Sequence, residues 1–211
     1  MQKPAFFSRL IADLGYEDYL EIGLGEQQAG EFNTFSRVRC KRAYGVDSAL
    51  HFKPHADAWP NLYYMKSDEF FKNHAEDKMF DMVFIDGNHK GDQVMQDFFN
   101  SNNHLKPGGC IIMHDVGPPV PNYASGDAYI AWMRLRNQGT FSANENIPFH
   151  FQSYQFKDSD DVVGIVCGGK SNQPSTPYPL TKKSFLDKRE EILNLKYSYE
   201  EVLSILQENK K

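Results

Sequence analysis

Tyr19-Leu20-Glu21-Ile22-Gly23-Leu24-Gly25, answered downstream by Tyr44-Gly45-Val46-Asp47, decides the reading of this chain. An apolar strand enters a glycine turn, where missing side chains let a ligand lie against the peptide groups. A second strand then ends on an acid. A carboxylate accepts two hydroxyl hydrogen bonds and repels a ribose phosphate, so the pair favours a ligand with a free ribose diol. Gly23 and Gly25 alone would fit any turn; joined to Asp47 they form a nucleoside-pocket signal.

Outward from that stretch, strands alternate with helices. A helical spacing runs from Phe6 to Leu14 and stops at Gly15. Apolar strand-like runs follow at Ala43–Val46, Leu62–Met65, Met82–Ile85 and Cys110–Met113. Asp92 to His104 is helix-compatible and ends at the breaker Lys106-Pro107-Gly108-Gly109. Asp127 to Asn137 reads as another helix, and Phe149–Phe156 and Val162–Cys167 as two further strands. This alternation predicts an α/β, Rossmann-like doubly wound sheet with helices on both faces. The aromatic cluster Phe149, Phe151, Tyr154 and Phe156 reads as packing, as does Trp132; Arg134 reads as a solvated helix residue. A proline-rich connector, Pro174 to Pro179, leads to a charged amphipathic tail from Ser184 to Leu206. Residues 1–180 thus read as one domain and 181–211 as a helical tail packed on it or on a second subunit.

Composition narrows the partners. The 211 residues, 40% apolar and 24% charged, suit one ordinary globular domain. A net charge of −5 argues against a phosphate-backbone binder, so no nucleic-acid partner is expected. Cys40, Cys110 and Cys167 show no ligand spacing and read as free thiols in a reducing compartment. With no leader-like start and no apolar stretch long enough to span a bilayer, the expectation is a cytoplasmic protein with no membrane partner.

In doubly wound sheets the ligand lies beyond the carboxyl ends of the strands. Two such ends are rich in ionisable groups: Phe84-Ile85-Asp86-Gly87-Asn88-His89 and Ile112-Met113-His114-Asp115. Carboxylates at a strand mouth need a metal, a hydrogen-bond network or a cationic ligand. Asp86 and Asp115 would also serve as turn caps, which is the plainer use of short acids.

Glu21-Ile22-Gly23, Gly45-Val46-Asp47, Ser67-Asp68-Glu69-Phe70-Phe71, the Asp86 to His89 run, Leu105-Lys106-Pro107-Gly108-Gly109 and His114-Asp115 together resemble class I S-adenosylmethionine-dependent methyltransferases. The nearest subgroup contains macrolide sugar O-methyltransferases and bacterial relatives. The resemblance covers residues 15 to 170 and implies a seven-stranded, mostly parallel sheet whose last strand, Val162 to Cys167, runs antiparallel between its neighbours. S-adenosyl-L-methionine would lie across Gly23 and Gly25, with Asp47 on the ribose, Ser67 or Asp68 near the adenine, Glu21 supporting the glycine loop, and Asp86 also at the cofactor. Gln27 stands at the usual third-glycine position, and Gly30 comes later.

In that subgroup an Asp after the fourth strand and an acidic pair after the fifth hold magnesium, and a His three residues after the first Asp is the base. The resemblance therefore assigns Asp86, His114 and Asp115 to a metal and His89 to proton removal. His114 in place of a carboxylate is the departure: either the ion is one that accepts imidazole, such as manganese rather than magnesium, or His114 does acid–base work and no metal binds. The implied activity is O-methylation of a sugar or other small polyhydroxylated acceptor. A catalytically silent nucleoside-binding scaffold or oligomerisation partner is the alternative, and a nicotinamide-dependent dehydrogenase a weaker one, because the third glycine of its fingerprint is missing. The segment 117–125 reads as a lid over the site.

Overall fold

The computed structural model describes residues 1–25, 34–48, 60–119, 126–138, 149–156, 161–169, 172, 174 and 176–210. Gln27, Gly30 and residues 120–125 of the expected lid lie outside this set. The strands are β1 (Asp18–Ile22), β2 (Arg42–Asp47), β3 (Leu62–Tyr64), β4 (Phe80–Ile85), β5 (Leu105–Met113), β6 (Phe149–Gln155), β7 (Val162–Gly168) and β8 (Leu195–Lys196). They form one sheet in the order β3-β2-β1-β4-β5-β7-β6-β8. β1 to β5 pair in parallel, while β7 runs antiparallel to both β5 and β6. The expected antiparallel strand is therefore where the sequence put it. The sheet has eight strands rather than seven because Leu195–Lys196 adds a short parallel edge to β6.

Helices α1 (Lys3–Leu14), α2 (Ser67–Asn73), α3 (Gly91–Asn103) and α4 (Ala128–Gln138) cover the sheet. Two apolar clusters result, one on each face, because every strand of a parallel sheet must bury both sides. On one face Phe6 and Phe7 of α1 meet Tyr154, Phe156 and Phe84. On the other, Trp132 of α4 is fully buried, lies edge-on to Phe151 and donates its indole N–H to Ile192. The aromatic cluster of β6 is core. Lys106 to Gly109, read as a breaker, belongs instead to β5; the β4–β5 register shifts between Phe80 and Met82, and Gly108 takes φ 77°. A bulge absorbs the turn-like residues without ending the strand.

The tail comprises α5 (Lys182–Asp187), α6 (Arg189–Leu193), β8 and α7 (Tyr199–Asn209), the last opened by a capping box between Ser198 and Glu201. Tyr199, Val202 and Leu206 bury against the α1 face, and Phe185, Ile192 and Leu193 against the α4 face. Among the described residues no helix is long and apolar enough to cross a membrane. All three cysteines are free, two of them buried.

Candidate functional site

Central strands β1 and β4 end side by side, and their carboxyl ends build the site. Asp86 N–H donates to Ile22 O (2.8 Å), tying the turn after β4 to the end of β1, and Gly23 N–H donates to Val46 O (2.8 Å), tying the turn after β1 to β2. Gly23 has φ 84°, and a Cβ there would lie 2.2 Å from the Asp86 carbonyl oxygen, so only glycine fits. Asp47 accepts from Leu24 N–H (2.8 Å) and Gly25 N–H (3.3 Å), so the acid at the end of β2 holds the glycine turn as well as facing the pocket.

A cavity of about 470 Å³ opens here, lined by Gly23, Gly25, Asp47, Ser67, Asp68 and Asp86 among others. Six of the seven residues expected at a cofactor thus share one cavity wall. Glu21 stands apart: it is buried and accepts the Tyr19 hydroxyl at 2.6 Å. Burial pushes its carboxyl up to about 8, against the opposing pull of that hydrogen bond.

Beside the cavity the ends of β4 and β5 bring four expected residues together in an alternating row. His114 Nδ1 lies 2.8 Å from Asp86 Oδ1 yet makes no aligned hydrogen bond. His89 Nε2 lies 3.6 Å from the same Asp86 oxygen, and His89 Nδ1 lies 3.2 Å from Asp115 Oδ2. Two residues that sequence reading missed complete the row. Asp161, just before β7, sits 2.9 Å from His114 Nε2, and Lys3 of α1 reaches both Nε2 (2.9 Å) and Asp161 (3.1 Å). Neither carries a local signal, since each comes from an element remote in sequence.

The electrostatics follow from this crowding. Burial pulls the His114 imidazole down, but Asp86 and Asp161 outweigh it and push it up to about 10. Burial raises Asp86, and His114 and His89 overcome that and hold it well below the usual carboxylate range. Asp161 is likewise lowered, chiefly by His114 against burial.

Donor atoms of Asp86, His89 and His114 lie within 4.8 Å of one another, the spacing a metal's ligands need. Asp115, expected in that set, lies beside it, with Oδ2 3.2 Å from His89 Nδ1 and Oδ1 3.5 Å from His114 Nδ1. The unaligned His114 Nδ1 is what a ligand nitrogen looks like without its ion, so the residues fit a metal. Two imidazoles and one carboxylate suit manganese, iron or zinc better than magnesium.

No curated protein matches the sequence. Solved structures do match in fold. One is an O-methyltransferase from Bacillus cereus bound to SAH, 19% identical over 76% of this chain and 78% of that one, TM-score 0.53. Another is the O-methyltransferase TomG from Streptomyces achromogenes, involved in tomaymycin synthesis and bound to SAM, 14% identical over 81% and 82%, TM-score 0.52. MycE from the mycinamycin pathway, bound to Mg, SAH and mycinamycin VI, is 18% identical over 82% of this chain but 51% of its own length, TM-score 0.49. At these identities the likeness is one of fold. The methyltransferase-domain family matches residues 8–116, more than half of the chain, taking in Gly23, Asp47, Asp86, His89, His114 and Asp115, and the chain belongs to that family.

Proposed function

We propose that this protein transfers the methyl group of S-adenosylmethionine to a hydroxyl of a small polyhydroxylated acceptor, a sugar or similar metabolite. The observation that carries this is the junction of the glycine-lined cavity with the His89–Asp115 pair at neighbouring strand ends. The solved O-methyltransferases that share the fold, crystallised with SAH or SAM, support the cofactor.

In this reading the cavity holds the nucleoside with its sulfonium methyl toward Asp86 and His89. The acceptor oxygen attacks the methyl carbon in line, the carbon–sulfur bond breaks, and S-adenosylhomocysteine leaves with the bonding pair on sulfur. Holding the reactants in line supplies much of the acceleration. The hydroxyl proton passes to His89 Nε2, because Nδ1 faces Asp115, which fixes the tautomer and steadies the imidazolium. The 3.6 Å between His89 Nε2 and Asp86 is too long for a hydrogen bond, and a hydroxyl placed there would donate its one proton to Nε2. His114, charged between Asp86 and Asp161, keeps Asp86 ionised rather than serving as base.

The unaligned His114 Nδ1 favours a second version, in which Asp86, His89 and His114 hold a divalent transition metal. Such an ion would lower the pKa of an acceptor hydroxyl. His89 Nε2 cannot both ligate and take a proton, so metal content decides which residue handles the proton.

Incubation with methyl-labelled S-adenosylmethionine and a pool of sugars and other polyols tests the function. The expected product gains one alkali-stable methyl ether per acceptor, and His89→Ala loses it. Tight binding of the cofactor product without transfer to any hydroxylated acceptor would favour the silent scaffold instead.

A further inference from the structure

One buried carboxylate in the cavity wall has no part in the mechanism above. Asp97, in the second turn of α3, is 1% exposed, yet it lines the cavity together with Ser67 and Gln93. Ser67 Oγ donates to Asp97 Oδ1 at 2.6 Å, and Gln93 Nε2 donates to the same oxygen at 3.1 Å. Oδ2 has no partner among the described residues. Among the described residues no cation is paired with Asp97; burial, with the Asp68 charge adding to it, pushes the Asp97 carboxyl up to about 6. Oδ2 is not sealed in the protein, so the half of the carboxylate's acceptor capacity left over is open to a donor in the cavity.

Its place in the sheet says which part of a ligand that is. The reacting groups stand after β4 and β5, whereas Ser67 opens α2 after β3, the far edge of the parallel half. The cavity therefore runs from the methyl-transfer end to the Ser67–Asp97 end. Asp68, expected beside the adenine, also lines the cavity and accepts from Asn100 Nδ2 at 3.2 Å.

On the reading that this cavity takes S-adenosylmethionine, we propose that Asp97 determines base specificity, accepting a hydrogen bond through Oδ2 from the exocyclic amino group of adenine and excluding a 6-oxo purine. The same geometry dictates the outcome of Asp97→Asn. Ser67 and Gln93 both donate to the Oδ1 position, so they hold the asparagine carbonyl there and turn its NH₂ group toward the base. A donor then faces the 6-position, which repels an amino group and welcomes a carbonyl.

The test is calorimetry of the full chain, wild type and Asp97→Asn, with S-adenosylhomocysteine and S-inosylhomocysteine, alongside thermal melts. The wild type is expected to prefer the adenosyl compound by at least about tenfold, and Asp97→Asn to erase or invert that ratio. If Asp97 merely ties α3 to α2, the variant melts earlier or binds both compounds more weakly with the ratio unchanged within about twofold, and the proposal is overturned while the cofactor reading stands. A wild type that binds neither compound overturns the cofactor reading and this assignment with it.

Discussion

Asp115 Oδ2 meets His89 Nδ1 at 3.2 Å, and Asp115 reaches it from a left-handed backbone conformation, φ 54°. Asp and Asn tolerate that region better than other side chains, at a cost of about 1–2 kcal/mol. The residue spends conformational energy on aiming a carboxylate at an imidazole. Asp115→Asn keeps the shape and the backbone tolerance but removes the charge. Steady-state kinetics should show kcat at least about tenfold lower, with SAH affinity within about twofold of wild type. Unchanged kcat would remove Asp115 from the proton step.

The two glycines of the turn are separable. Gly23→Ala drives a Cβ against the Asp86 carbonyl at 2.2 Å in a left-handed backbone, whereas a Cβ at Gly25, φ 67°, meets nothing within 4 Å. Thermal melts should therefore show a loss above about 2 kcal/mol for Gly23→Ala and about 1 kcal/mol for Gly25→Ala. Equal losses would mean the β1 and β4 turns are not in contact.

Glu21 sets a pH dependence of stability. Burial lifts its carboxyl from an ordinary 4.5 to about 8, despite the Tyr19 hydrogen bond. Between those values the fold keeps a proton that the unfolded chain has released, so stability falls as pH rises through the window and levels beyond it. The melting temperature of Glu21→Gln, relative to wild type, should climb from pH 4.5 to 8 and then flatten. A constant difference across that range would contradict this.

Metal binding has its own readout. Titration of chelator-treated protein with Co²⁺ should produce a d–d absorption band saturating at one ion per chain, and Asp86→Ala and His114→Ala should abolish it. Asp115→Asn, which removes the outer partner of His89, should weaken binding by about 10–100-fold. A spectrum that never changes would leave His89 as the base and His114 as an ion-pair residue.

The parallel half of the fold was legible because its signals are local. Each strand is an apolar run, and Gly23, Asp47, Asp86, His89, His114 and Asp115 all sit within a few residues of a strand end. What was not legible depends on distance in the chain. Lys3 and Asp161 join His114 only after the N-terminal helix and β7 have packed, and Asp97 meets Ser67 across 30 residues. The helical tail was legible as such, but its two-residue strand β8 was not, because so short a strand after the left-handed Asn194 that ends α6 carries no pattern of its own. The Lys106 to Gly109 run was read as a break because a bulged strand and a turn share the same residues.

Isothermal calorimetry of the chelator-treated protein with S-adenosylhomocysteine, repeated with Mn²⁺ and Mg²⁺, shows whether the glycine-lined cavity takes the cofactor product. Micromolar binding at one site per chain is expected, lost in Gly23→Ala and retained in His89→Ala. No binding in any of the three conditions would contradict the cofactor reading.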